Sequence, residues 1–282
     1  MIIDFHSHTF PDKIAAGAVT HLSSVSHTRP FTDGTISNLI DSMRKSGIDY
    51  SLNLPVATSL FQVEKVNRGL IEKLDLMKAQ GILTLGCMHP DYDNCRRELV
   101  FLKEHGIAGI KLHPAYQETD LNDIKNMRII DAATELGMTV LVHAGIDIGI
   151  PGHDYSSVKH ILQVIEELHP EKLVLAHMGG WARWDDVTRD LAGADVWFDT
   201  AFSIGPLVRA EGDPTPPVLL HNLSDEEFVG LARKHGTHHI LFATDSPWAD
   251  QKDYVDRIRQ MPFSESERKQ IFEANALKLL DL

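Results

Sequence analysis

Eight short runs of aliphatic and β-branched residues recur along this chain, each followed by a longer segment of helical period, and few folds accept that alternation. The runs are Ile2–His8, Tyr50–Leu54, Ile82–Met88, Ile107–Leu112, Thr139–Val142, Lys172–Ala176, Ala194–Asp199 and His239–Thr244. Between and after them the spacing predicts helices over Ile36–Ser46, Val63–Ala79, Asn94–His105, Asp123–Leu136, Ser157–Leu168 and Asp225–His235. A short helix is expected near Arg183–Leu191, and two more around Asp253–Gln260 and Ser264–Leu280. Gly47, Gly81, Gly106 and Gly137 stand where left-handed C-caps belong, which supports these boundaries. Eight strands alternating with helices predict a (β/α)8 TIM barrel, an α/β fold formed as a single domain over residues 1–282. A doubly wound sheet is the competitor, but no GxGxxG or GxxxxGK[ST] loop follows any strand.

Three stretches, Thr9–Asp33, Ile146–Tyr155 and Thr200–Leu223, read as the loops that carry specificity. The last contains EGDPTPP and reads as a lid or substrate loop. The composition is that of an ordinary globular chain, 43% hydrophobic and 24% charged. Its net charge of −13, from 27 basic and 40 acidic side chains, disfavours nucleic acid and anionic membranes as partners. The two cysteines, Cys87 and Cys95, form no CxxC, so neither a disulfide framework nor a thiolate zinc site is expected. The opening MIIDFHSHTF lacks a basic n-region and a long apolar run, so a cytoplasmic location is expected.

The barrel places its chemistry at the C-terminal ends of the strands. Strand one ends in His6 and His8, whose spacing of two predicts both imidazoles on one side. Strand three ends in His89; strand four carries Lys111 and His113 in GIKLHP. Strand five ends in His143, strand six in His177 and strand eight in Asp245, in ILFATDSPW. A lone histidine after a strand is ordinarily a hydrogen-bonded structural residue, and a lone TD is ordinarily a cap or turn. Six strands ending this way together need strong compensation for the buried polar groups, and a metal supplies it. Imidazoles and a carboxylate suit zinc and tolerate manganese, iron or cobalt. His105, His160, His169 and His235, on or at the ends of helices, read as solvated. His21, His27, His153, His221, His238 and His239 sit in loops or at strand starts and read as non-ligands.

The series HxH, strand-four Lys, strand-five His, strand-six His and strand-eight Asp resembles the amidohydrolase superfamily. GIKLHP, LVLAHMGG, LFATDSPW and IFEANALKLL resemble its amidohydrolase-related branch, which includes aminocarboxymuconate-semialdehyde decarboxylase-like proteins. The resemblance spans Ile2 to Leu280 and implies one ion on His6, His8, His143 and Asp245, with His177 free. Alternatively it implies two ions bridged by a carboxylated Lys111, the second held by His143 and His177. It implies hydrolysis of a C–N or C–O bond in a small, carboxylated substrate, or else non-oxidative decarboxylation. Asp245 and His177 are then the catalytic pair. Lys111, His113, His89 and Arg183, with Arg209, are substrate-binding candidates, and Tyr116, Trp181 and Trp248 candidate pocket walls. A homodimer is compatible with this reading. The DxHxH phosphoesterases and TatD-like nucleases also open this way. Asp245 in TDSPW and the strand-four KLH speak against the first, and the missing strand-four glutamate against the second.

Overall fold

The computed structural model describes residues 1–212 and 222–281, leaving His221 and most of EGDPTPP outside the described residues. Eight parallel strands form: β1 Ile3–Ser7, β2 Tyr50–Asn53, β3 Ile82–Thr84 continuing as Gly86–Cys87, β4 Gly109–Leu112, β5 Thr139–Val142, β6 Leu173–Leu175, β7 Trp197–Asp199 and β8 Ile240–Leu241. Each pairs with the next in parallel register. The ring closes between β8 and β1 through Phe5 N to Phe242 O at 2.8 Å, Asp245 N to His6 O at 2.8 Å and His8 N to Ser246 O at 2.6 Å. Leu85 N to Asn53 O, at 3.1 Å, carries β3 across its break. The chain is the TIM barrel that its alternation predicts.

The helices are α1 Asp12–Ser26, α2 Ile36–Ser46, α3 Gln62–Ile71, α4 Leu74–Ala79, α5 Cys95–Glu104, α6 Ile124–Glu135 and α7 Val158–Leu168. Then come α8 Trp184–Asp186 with a π turn over Val187–Leu191, α9 Asp225–His235, α10 Gln251–Gln260, and α11 Glu265–Lys269 running through a π turn into α12 Asn275–Leu280. Helix α9 starts on a capping box between Ser224 and Glu227, and α2 stops at Gly47 with φ 71°.

Two departures from the sequence reading matter. The Thr9–Asp33 stretch is not a loop throughout, because α1 occupies fifteen of its residues. It buries only Ala15 and Val19 against the barrel, so its helical period is faint. The helix expected over Val63–Ala79 is instead two, α3 and α4, separated at Glu72 and Lys73.

The barrel interior is filled by Ile3, Phe5, Leu52, Leu85, Leu141, Val174 and Leu241, with Ala276 and Leu279 of α12 packed against them. Lys111 stands in β4 among the fully buried side chains, so a cation is built into the barrel wall. A larger apolar layer joins strands to helices. In β1 the register shifts between Asp4 and Ser7, a bulge that re-aims the strand's end. Phe5 packs in the interior cluster, yet its neighbour His6 also reaches the mouth of the barrel. Strict alternation would not allow both.

Candidate metal centre

His8 donates Nδ1–H to the carbonyl of Leu54 at 2.7 Å, since a carbonyl only accepts. The tautomer is thereby fixed, and its Nε2 is a lone pair. His6 Nδ1 meets the buried carboxylate of Asp199 at 2.8 Å, which gives His6 the same arrangement. The two Nε2 atoms are 3.1 Å apart. Asp245 Oδ1 lies 3.2 Å from His8 Nε2 and 3.5 Å from His6 Nε2. Three electron-pair donors converge on one point, an arrangement that repels itself unless a cation stands between them. This donor set of two imidazoles and a carboxylate fits a divalent metal. Lys111 Nζ, 3.5 Å from His6 Nε2, is the cation that the chain itself brings close.

His177 donates Nδ1–H to Ala201 O at 2.8 Å and turns Nε2 toward His143 Nδ1 at 2.9 Å. Its ring lies 5.5 Å from that of His6 and 4.6 Å from that of His143, so it stands between the two halves of the site. His143 does not share the tight group formed by His6, His8 and Asp245. It falls in a second group with His113 and Asp147. There Asp147 Oδ2 is 3.5 Å from His113 Nε2 and 3.9 Å from His143 Nε2, which is buried without a hydrogen-bond partner among the described residues. His113 stacks on His143 at 4.3 Å and on Tyr116 at 4.1 Å.

The electrostatics keep His6, His113, His143 and His177 neutral, the form that ligates metal. Burial, reinforced by the charge on Lys111, holds His6 well below the usual histidine range. Burial also lowers His113 and His143 well below it, and brings His177 down to about 4. Lys111 is pushed down by burial, with Asp199, Asp245 and Asp147 pulling the other way. Asp199 is raised by burial against the opposing pull of Lys111, and Asp147 rises to about 6 for the same first reason.

The backbone is shaped to hold this array. Asp245 and His177 both sit in the left-handed region, at φ 68° and 60°, which costs about 1 kcal/mol or more for a non-glycine residue. Gly145, two residues past His143, has φ 80° and crosses Trp181 so closely that a Cβ would lie 2.4 Å from its nitrogen. The loops after β5 and β6 are thus seated directly on one another.

One cavity of about 1160 Å³ takes in both donor groups, with Lys111, Tyr116, Trp181 and Trp248. Three expected substrate contacts, Arg183, His89 and Arg209, are absent from its lining. Arg183 ion-pairs with Asp154 at 2.9 Å, and buried His89 accepts from the backbone of Asp91 through Nδ1. Arg209 forms part of a backbone bridge with Thr28. His235 is buried rather than solvated. Its Nε2–H donates to Val196 O, and its ring stacks on Phe198 at 3.7 Å. Sequence reasoning passed over Asp199 and Asp147. The first ends a strand in WFDT and the second follows His143 by four residues, so strand-end position was the available signal.

Known proteins place the chain. Searches against curated protein sequences give no match. Solved structures match over essentially the full length. The 5-carboxyvanillate decarboxylase of Sphingomonas paucimobilis has a TM-score of 0.70 at 13% identity, covering 100% of this chain and 99% of that one. A dihydroxybenzoic acid decarboxylase from a Polaromonas species, solved with manganese and the inhibitor 2-nitroresorcinol, has a TM-score of 0.71 at 15% identity, covering 100% and 97%. A candidate 2-pyrone-4,6-dicarboxylic acid hydrolase from Pseudomonas putida has a TM-score of 0.66 at 16% identity, covering 99% and 97%. At such identities these likenesses establish the fold alone. The amidohydrolase family model matches residues 74–282, well over half the chain, and on that match the chain belongs to the amidohydrolase family.

Proposed function

We propose that the chain is a metal-dependent hydrolase that cleaves a C–N or C–O bond in a small carboxylated molecule. The observation that carries this reading is the convergence of His6 Nε2, His8 Nε2 and Asp245 Oδ1 on one point at the barrel mouth. Those three residues would hold a divalent ion, with His143 or His177 completing the set. Zinc suits the donors, and manganese, iron or cobalt are tolerated. Such an ion, when bound, supplies Lewis acidity and makes water nucleophilic near neutral pH.

The chain's own groups then divide the work. The Asp245 carboxylate, by the oxygen not turned to the ion, is placed to take a proton from water and return it to the leaving group. His177, with Nδ1–H committed to Ala201, would offer Nε2 to water or a substrate donor in place of the His143 Nδ1 that it faces at 2.9 Å. Lys111, buried in the wall with its Nζ beside His6 at the cavity, is placed to grip a substrate carboxylate. Carboxylation of Lys111 would instead make it a bridge between two ions. Decarboxylation is the second reading. It is favoured by the decarboxylases among the structural likenesses, and it would use the same histidines and Asp245 to deliver a proton to carbon.

The test is metal content per chain on protein purified without chelators, with His143→Ala and Lys111→Ala alongside. The same preparations are then assayed on lactones, amides and phenolic acids, following carbon dioxide release for the acids. One ion and turnover of a lactone or amide supports hydrolysis. Two ions that fall to one in Lys111→Ala support the carboxylated bridge. Carbon dioxide release without any hydrolysis overturns the hydrolytic reading, and no bound metal overturns both.

A further inference from the structure

The cavity runs well beyond the donor groups. At about 1160 Å³ it exceeds the several hundred cubic ångströms that a small aromatic acid needs. Its outer part is walled by two helices that each turn an apolar stripe toward it. On α1 the stripe is Ile14, Ala18 and Leu22, four residues apart and so on one helical face. That face is distinct from the one that buries Ala15 and Val19 in the fold. On α3 the stripe is Val66 and Leu70, with Gly69 beside them. A Cβ at Gly69 would meet nothing within 4 Å, so the helix leaves open space there. A glycine inside a helix costs about 1 kcal/mol relative to alanine, and no close packing contact compensates it here. Away from the donor groups, the charged residues lining the cavity are, among the described residues, Lys13, Lys65, Lys73 and a single acid, Asp12. In a chain of net charge −13 that balance favours an anionic ligand.

We propose that this extension of the cavity receives an extended apolar chain belonging to an acidic substrate, whose reacting end lies at the His6–His8–Asp245 centre. The proposal rests on the hydrolytic reading above and adds the substrate class. Continuity of the apolar walls with the donor groups in one cavity distinguishes a substrate chain from a docked protein, which would need no path to the centre. Burying each methylene of such a chain contributes about 0.8 kcal/mol at full burial, so affinity must rise with chain length until the groove is filled.

The experiment is calorimetric titration of the metal-loaded, full-length protein with straight-chain carboxylates from acetate to decanoate. Affinity should rise roughly two- to fourfold per added methylene across the middle of the series. Gly69→Phe fills the groove from a helix position with open space around its Cβ. It should leave acetate binding and metal content unchanged while abolishing the rise, and Gly69→Ala should retain it. Acetate binding with a flat series in the wild-type protein overturns the proposal, as does an unchanged slope in Gly69→Phe. Self-association relieved by Gly69→Phe would overturn it too, assigning the stripes to a second copy of the chain. Failure to take up metal at all would overturn the hydrolytic reading instead, so the two failures are distinguishable.

Discussion

Asp199 Oδ2 holds His6 Nδ1 at 2.8 Å, while Oδ1 of the same carboxylate accepts from the backbone of His177 at 2.9 Å and of Ala201 at 3.1 Å. Ala201 in turn accepts from His177 Nδ1. One buried carboxylate at the end of β7 therefore orients a metal-ligand candidate on β1 and His177 after β6. Its removal acts on both at once.

Asp199→Asn should preserve the fold, because Oδ1 still accepts from both backbone groups. The amide nitrogen now facing His6 Nδ1 is a donor, so the proton moves to Nε2 and the lone pair facing His8 and Asp245 is lost. Metal affinity should fall about 10- to 100-fold. Equilibrium dialysis measures that change, and 15N chemical shifts of the imidazole report the tautomer directly. Unchanged affinity with an unchanged tautomer would refute the role.

His8→Ala tests the centre from the other side. It removes one lone-pair donor whose Nδ1–H is bonded to Leu54 O, so circular dichroism should show an intact barrel. Bound metal and turnover should both fall at least 100-fold, in line with the loss of a primary ligand. Retained turnover would mean that catalysis runs elsewhere in the cavity.

The barrel was legible because its evidence is periodic: eight β-branched runs and well-placed helix stops survive without any tertiary information. His6, His8, His177 and Asp245 were legible because strand ends map to the mouth. Helix α1 was not, since a helix that buries only Ala15 and Val19 leaves little period to read. Asp199 was hidden because its meaning lies 193 residues away, on His6. His235 was misread as solvated because nothing local announces that Val196 O and the face of Phe198 will enclose it.

Gly145→Ala should damage stability and site together. Its φ of 80° disfavours any L side chain, and the added carbon would lie 2.4 Å and 2.5 Å from the backbone of Trp181. Strain plus overpacking should cost about 3 kcal/mol. Because the displaced loops carry His143 and His177, turnover should fall further than the loss of folded protein explains. Urea unfolding and specific activity per folded molecule separate the two. A loss confined to stability would show that the crossing only supports the fold.

His235 offers a pH signature remote from the centre. Burial lowers it to about 4 from an ordinary 6.5, while Gly193 N donates to Nδ1 and Nε2–H donates to Val196 O. Above pH 6.5 the ring is neutral in both folded and unfolded chains, so it adds no pH dependence. As pH falls below 6.5 the unfolded chain binds the proton first, and stability drops until about pH 4, where the folded protein binds it too. The full drop is at most about 3.5 kcal/mol, because each tenfold difference in proton affinity between the two states is worth about 1.4 kcal/mol. His235→Gln does not titrate, so its urea midpoint should change less than that of the wild-type chain between pH 7 and pH 4. The other buried histidines contribute to both proteins and cancel in the difference. Parallel pH curves for the two proteins would mean that His235 is protonated in the folded state as readily as in the unfolded chain.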